Sequence, residues 1–165
     1  MFSFQNIALF LTILFSGLIA GLLYSYSCSV NIGLNVLPDQ QYLEVMQSIN
    51  RAIQNPYFFI CFMGLLLLFP LALWNLYQQH GTVALYLLFI AAVFYFIGTF
   101  GITVFGNVPL NDKLDQFVIS AASKNEIFAM RQTFETAWNN FHFLRTVFAI
   151  LSFGFALLSL FKYKP

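Results

Sequence analysis

The chain has 165 residues, of which 60% are hydrophobic and 8% charged, where an ordinary soluble domain carries about 25% charged residues. One water-soluble domain cannot cover that much apolar surface, so the composition excludes a soluble fold. A net charge of +1 without a basic tract excludes nucleic acid as a partner.

Four runs reach the roughly 20 apolar residues that a helix needs to cross a hydrocarbon core of about 30 Å: Ile7–Val30, Tyr57–Tyr77, Thr82–Val104 and Phe141–Phe161. They predict an all-α membrane protein, a single domain over residues 1–165. Its architecture is a four-transmembrane-helix bundle with two long, partly helical loops on one side. Membrane lipids are its first partners, and the expected location is multi-pass in a bacterial inner (cytoplasmic) membrane.

The first run is preceded by Met1–Asn6, which has no Lys or Arg. It is also too long for the apolar region of a signal peptide, so it is expected to be a retained helix. Gly17-x-x-x-Gly21 on it is a spacing that permits close helix packing. Cys28 and Cys61 lie far apart with no C-x-x-C, which leaves them as buried apolar fillers rather than a thiol redox pair.

The link Asn31–Pro56 contains Tyr42, Val45, Met46, Ile49 and Ile53 at three- and four-residue steps, one face of a helix. Asn55-Pro56 then supplies an N-cap and a first-turn proline for the second span. Gln78-Gln79-His80-Gly81 is a tight turn, so the second and third spans form an antiparallel pair. Both long links therefore emerge together at the opposite end.

The link Phe105–Asn140 repeats the helical pattern at Leu114, Phe117, Val118 and Ala121. It breaks at Ser123, where Ser123-x-x-Glu126 has the form of a capping box. Ile127, Met130, Phe134, Trp138 and Phe141 continue one stripe from there, so the fourth helix is expected to begin well outside the bilayer. Lys162 and Lys164 favour cytoplasmic termini, against Arg51, Lys113, Lys124, Arg131 and Arg145 at the other end.

Polar side chains are costly in so apolar a protein unless partnered. They gather in three places: Asn31, Asn35, Gln47, Asn50 and Arg51; Asn107, Asn111 and Asp112 at the exit of the third span; and Trp138 to Arg145 at the start of the fourth. Trp138, His142 and Arg145 stand at i, i+4 and i+7, which places an aromatic ring, an imidazole and a permanent cation in one column. Asn107, Asn111 and Asp112 reach the same end. A purely structural alternative pairs Arg145 with Asp112 or Asp115, leaves Trp138 at the membrane interface, and uses Asn107 and Asn111 as helix caps. His80 lies at the far end, so a histidine metal site would need carboxylates and amides, and no metal is expected.

Val108-Pro109-Leu110-Asn111 with Leu114, Trp138-x-x-x-His142-x-x-Arg145-Thr146, and Met46-Gln47-Ser48-Ile49-Asn50-Arg51 running on to Asn55-Pro56 together resemble a family of four-helix membrane proteins that includes the fungal anthrone oxygenases. The likeness spans nearly the whole chain. It implies oxidation of an anthrone to an anthraquinone by molecular oxygen without an evident cofactor.

For that chemistry His142 is the candidate base, with Arg145 and Asn111 stabilising the developing oxyanion. Trp138 would stack on a flat hydrophobic substrate, and Asn107, Asp112, Asn50 and Arg51 complete the expected binding set. The competing expectation is a non-catalytic module that binds a lipid or small hydrophobic ligand, or an assembly subunit, and a homo-oligomer is compatible with either. A transporter is disfavoured, since no span carries a charge near its centre.

Overall fold

A computed structural model describes residues 4–80 and 82–163. Met1–Ser3 of the N-terminal flank, Gly81 of the predicted turn and Lys164 lie outside the described residues. Among those described there is no strand, and four helices are long and apolar enough to cross a membrane. The protein is an integral membrane helical bundle.

Helix α1 covers residues 4–35, α2 is Asp39–Ala52, α3 is Pro56–Gln78, α4 covers residues 82–115 and α5 is Lys124–Lys162. In the bundle α1 packs on α3 and α5, and α4 packs on α5 and α3, so neighbours close a ring. Lipid tails are as apolar as leucine, so packing rather than water exclusion holds such helices together, which favours small side chains at the contacts. The buried set fits: Ala8, Ala20, Ala72, Ala84, Ala91, Ala92, Ala149 and Ala156 alternate with Leu65, Phe69 and Leu88. Gly98 matters most, because a Cβ there would fall 2.1 Å from Phe148 Cγ. Of the Gly17-x-x-x-Gly21 pair only Gly17 faces a neighbour, Phe153, while Gly21 faces open space.

The predicted caps form. Asn55 accepts from the Phe58 amide at 3.1 Å, with Pro56 in the first turn of α3. Ser123 and Glu126 make both halves of the capping box that starts α5. That helix has 39 residues, about 58 Å at 1.5 Å per residue, against a hydrocarbon core of about 30 Å. It therefore does project from the membrane. At the other end His80 turns the chain with φ 55, its amide donating a hydrogen bond to Tyr77 O.

The long links are more helical than expected. Helix α1 runs on to Asn35 and α4 to Asp115, leaving only a short connection with a 3-10 turn at Ile119–Ala121 before α5. Both extensions pass through wide π-helical turns, Tyr26–Val30 in α1 and Phe94–Gly101 and Thr103–Asn107 in α4.

Their far ends are captured. Gln47 of α2 donates to the Leu114 and Phe117 carbonyls at 2.8 and 3.0 Å. Arg131 of α5 donates to the Leu37 and Asn35 carbonyls at 2.6 and 3.2 Å, and pairs with Asp39 and Glu135. Carbonyls that a helix end leaves unpaired are thereby satisfied. Arg131 also lies over the Tyr42 ring. Burial, reinforced by the Glu135 carboxylate, holds the Tyr42 hydroxyl above its ordinary range and hence protonated.

Helix α2 is amphipathic, but its buried face is Tyr42, Leu43, Met46 and Asn50, with Val45 outside. It closes a second core with Leu34, Leu114, Ile119, Ile127, Phe134 and Trp138 at the polar end. The cysteines differ from expectation: Cys61 is partly buried, but Cys28 is exposed.

Candidate functional site

Trp138, His142 and Arg145 do form a column, directed into the bundle. Trp138 is 3% and His142 1% exposed. The imidazole stacks on the indole with ring centres 5.0 Å apart and 13° between planes. The Arg145 guanidinium carbon is 5.2 Å from the indole centroid.

The wide turns supply the walls. In α1 the turn brings Tyr26 to within 5.3 Å of Trp138 and 5.1 Å of His142, ring to ring, while its hydroxyl donates to Met46 Sδ at 3.2 Å. The next residue, Ser27, places Oγ 2.9 Å from His142 Nε2. In α4 the second wide turn, Thr103–Asn107, presents Thr103 Oγ1 to Arg145 Nη1 at 3.4 Å. It also presents Asn107, whose Nδ2 donates to the Trp138 carbonyl at 3.2 Å. One turn on, Asn111 Oδ1 accepts from Trp138 Nε1 at 2.8 Å. Wide π turns commonly mark functional sites, and here they carry four of the side chains around the column.

Donor arithmetic fixes the imidazole. Arginine only donates, and Arg145 Nε and Nη2 approach His142 Nδ1 at 3.4 and 3.2 Å. Nδ1 therefore holds a lone pair, and the ring proton sits on Nε2, directed at Ser27 Oγ. The Ser27 hydrogen is committed to the Leu23 carbonyl at 3.1 Å. One oriented chain thus runs from Arg145 through His142 and Ser27 to Leu23.

The structural alternative for Arg145 is not what is observed. Asp115 pairs with Arg51 at 2.6 Å, Asp112 is exposed, and among the described residues no carboxylate reaches Arg145. Asn107 and Asn111 bind Trp138 rather than capping helix ends.

Three of the expected binding residues lie apart from the column. Arg51 is exposed and taken by Asp115. Asp112 follows Asn111, and adjacent helical residues face different ways. Asn50 is buried on α2, but its carbonyl serves Gln54 and it makes no hydrogen bond to the column. Trp138 is already covered by His142, Tyr26 and Arg145, so its ring is not a free stacking platform. Sequence reasoning missed Tyr26, Ser27 and Thr103. The polar run Ser25-Tyr26-Ser27-Cys28-Ser29 inside an otherwise apolar helix was the signal for the first two. Two open apolar grooves, one between α3 and α4 near the turn and one between α1 and α3, lie away from the column.

Fold and site together define a polytopic helical membrane protein with a His–Arg pair between its first, third and fourth spans. The sequence model of the anthrone oxygenase family matches residues 56–155, well over half of the chain, and the chain belongs to that family. The match takes in Thr103, Asn107, Asn111, Trp138, His142 and Arg145, and leaves out Tyr26 and Ser27. No curated protein and no solved structure gives a match.

Proposed function

We propose that the protein is a membrane oxidoreductase of the anthrone oxygenase type, which oxidises a lipophilic phenolic or quinone-like substrate with molecular oxygen and, as the family resemblance implies, no cofactor. The observation that carries this reading is the contact between His142 Nδ1 and Arg145, which sets a permanent cation 3.2 Å from a basic lone pair on a buried imidazole. Removing a proton from a ring carbon whose charge passes by conjugation to an oxygen of the same ring system needs a base and a cation within one substrate's reach.

In the resting site Arg145 covers the base. Its bonds to Nδ1 and Thr103, at 3.2–3.4 Å, lie at or beyond the long end of the normal range, and their acceptors are uncharged. A substrate oxyanion is the stronger acceptor, so on binding it draws the guanidinium away and frees Nδ1. His142 then takes a proton from the ring methylene, and the charge spreads to the oxygen held by Arg145. The carbanion passes one electron to oxygen, and the ring radical and superoxide join as a peroxide at that carbon. After protonation, loss of water leaves the carbonyl. One oxygen molecule and two substrate hydrogens are consumed, with one oxygen atom in the ketone and one in water. Asn111 acts through the Trp138 indole that backs His142, so it is a positioning residue.

The test is oxygen uptake with emodin anthrone by the protein in lipid nanodiscs. Uptake should match anthraquinone formed one for one and exceed the spontaneous rate by roughly 10²–10⁴-fold, the range of general-base catalysis. A rate equal to the spontaneous one would sink the reading.

A further inference from the structure

Three corners of the bundle, α1, α4 and α5, run unbroken past the column, but the chain breaks between α2 and α3. Tyr57 and Tyr77 on α3 are both exposed and stand 20 residues apart, about 30 Å along the helix. That is the spacing of aromatic belts at the two faces of a hydrocarbon core, so the break at residues 53–55 lies at headgroup level. Below it α3 packs on α1 and α4, whereas above it α2 packs on α5 and on the end of α4. The chain therefore leans inward at the break, and α2 roofs the column: Tyr42, Leu43 and Met46 share a core with Trp138, and Met46 Sδ accepts the Tyr26 hydroxyl at 3.2 Å.

The two ends of that roof are held differently. Its start is clamped by Arg131, which binds Asp39 and the Leu37 and Asn35 carbonyls. At its other end one side chain spans the break, Asn55, whose Nδ2 donates to the Ala52 carbonyl at 2.8 Å while Oδ1 accepts from the Phe58 amide at 3.1 Å. Outside, the Arg51–Asp115 pair ties α2 to α4 with both side chains half exposed or more, the kind of ion pair that salt screens. Inside, Asn50 is the last buried residue of α2, and its Nδ2 has no hydrogen-bond partner. A buried donor left unpaired is costly, and water removes that cost when the roof lifts. Lifting also parts Gln47 from the Leu114 and Phe117 carbonyls, two bonds that water replaces. A helix pinned at its start, jointed at its end and carrying an orphaned donor beneath it can swing.

We propose that α2 is a lid over the Trp138, His142 and Arg145 column, latched by Arg51 and Asp115, and that it lifts at residues 53–55 to admit molecules dissolved in the membrane at headgroup level. The lid serves the column whatever chemistry occurs there, so its test involves no turnover.

The test sets a thiol under the lid by Met46→Cys, in a Cys28→Ser, Cys61→Ala background in phosphatidylcholine nanodiscs, and follows its reaction with a water-soluble maleimide, which reads the open fraction. Ser159→Cys, buried at the far end of α5, serves as the control thiol for global opening. Arg51→Gln should speed the thiol under the lid about two- to fivefold, the effect of one exposed ion pair, and leave the control unchanged. Salt at about 1 M, which screens exposed charges, should do the same to the intact latch and nothing further to Arg51→Gln. Arg51→Asp combined with Asp115→Arg should restore the slow rate, and Asn50→Leu, which removes the orphaned donor, should lower it. Equal rates with and without the latch, a salt response that survives Arg51→Gln, or equal acceleration of the control thiol would overturn the proposal. The salt comparison keeps the native latch, so it stands even if a latch variant does not fold. Labelling as expected without catalysed oxygen uptake would uphold the lid and reject the oxidase reading, and uptake with labelling blind to the latch would do the reverse.

Discussion

His142 Nε2 lies 2.9 Å from Ser27 Oγ, and that bond links the fourth span to the first and gives the Nε2 proton its acceptor. Ser27→Ala leaves the buried Nε2–H without an acceptor, a loss of about 1–3 kcal/mol. The expected outcome is a lower melting temperature in detergent and a slower oxidation, with Ser27→Thr restoring both. If Ser27→Ala matches wild type in stability and rate, Ser27 does not position the ring.

Trp138 and Asn111 are joined by one hydrogen bond of 2.8 Å. Trp138→Phe and Asn111→Ala should each destabilise the protein. Because each removes the same bond, the double variant should fall short of the sum by about 0.5–1.5 kcal/mol. Additive losses in chemical denaturation would mean that the bond contributes nothing.

Gly98 sets the approach of α4 to α5. Gly98→Ala puts a methyl group 2.1 Å from Phe148 Cγ, and such overpacking costs about 1–3 kcal/mol or more. Adding Phe148→Leu should recover part of that loss. Thermal unfolding in detergent checks it, and a Gly98→Ala protein as stable as wild type would contradict the packing described.

Two arginines at the polar end should behave differently. Arg131 is 9% exposed at its side chain and serves two carboxylates and two carbonyls, so Arg131→Gln should cost about 3–5 kcal/mol, as when one partner of a buried ion pair is removed. It should also raise amide exchange at residues 31–37. Arg51 and Asp115 are 62% and 50% exposed, and Arg51→Gln should cost about 1 kcal/mol or less. Equal effects of the two substitutions would contradict the clamp assigned to Arg131.

What the sequence disclosed and what it hid follow from the range of the forces involved. Asn55-Pro56 and Ser123-x-x-Glu126 were legible because a cap is made within four residues. The column was legible because helical period alone aligns Trp138, His142 and Arg145. The continuation of α1 past Val30 and of α4 past Val104 was not, since the apolar runs stop at those residues. The wide turns reset the hydrogen-bond ladder there, and long-range bonds from Arg131 and Gln47 secure the ends. The same turns rotate Tyr26, Ser27 and Thr103 toward His142 and Arg145, a rotation that no period of 3.6 reports. Arg51 and Asp112 were grouped with the column because they share its end of the bundle, but nearness in depth is not nearness in space.

The account turns on whether the His142–Arg145 pair is a reaction site or a buttress. The most direct measurement is the rate of anthrone oxidation by His142→Gln, taken beside its melting temperature in the same nanodiscs. Glutamine keeps a donor and an acceptor in nearly the same volume but is no base. The account predicts a rate lower by roughly 10²-fold or more, the share expected of a general base, in a protein that still folds and melts cooperatively. A folded His142→Gln protein that oxidises the anthrone as fast as wild type would contradict it.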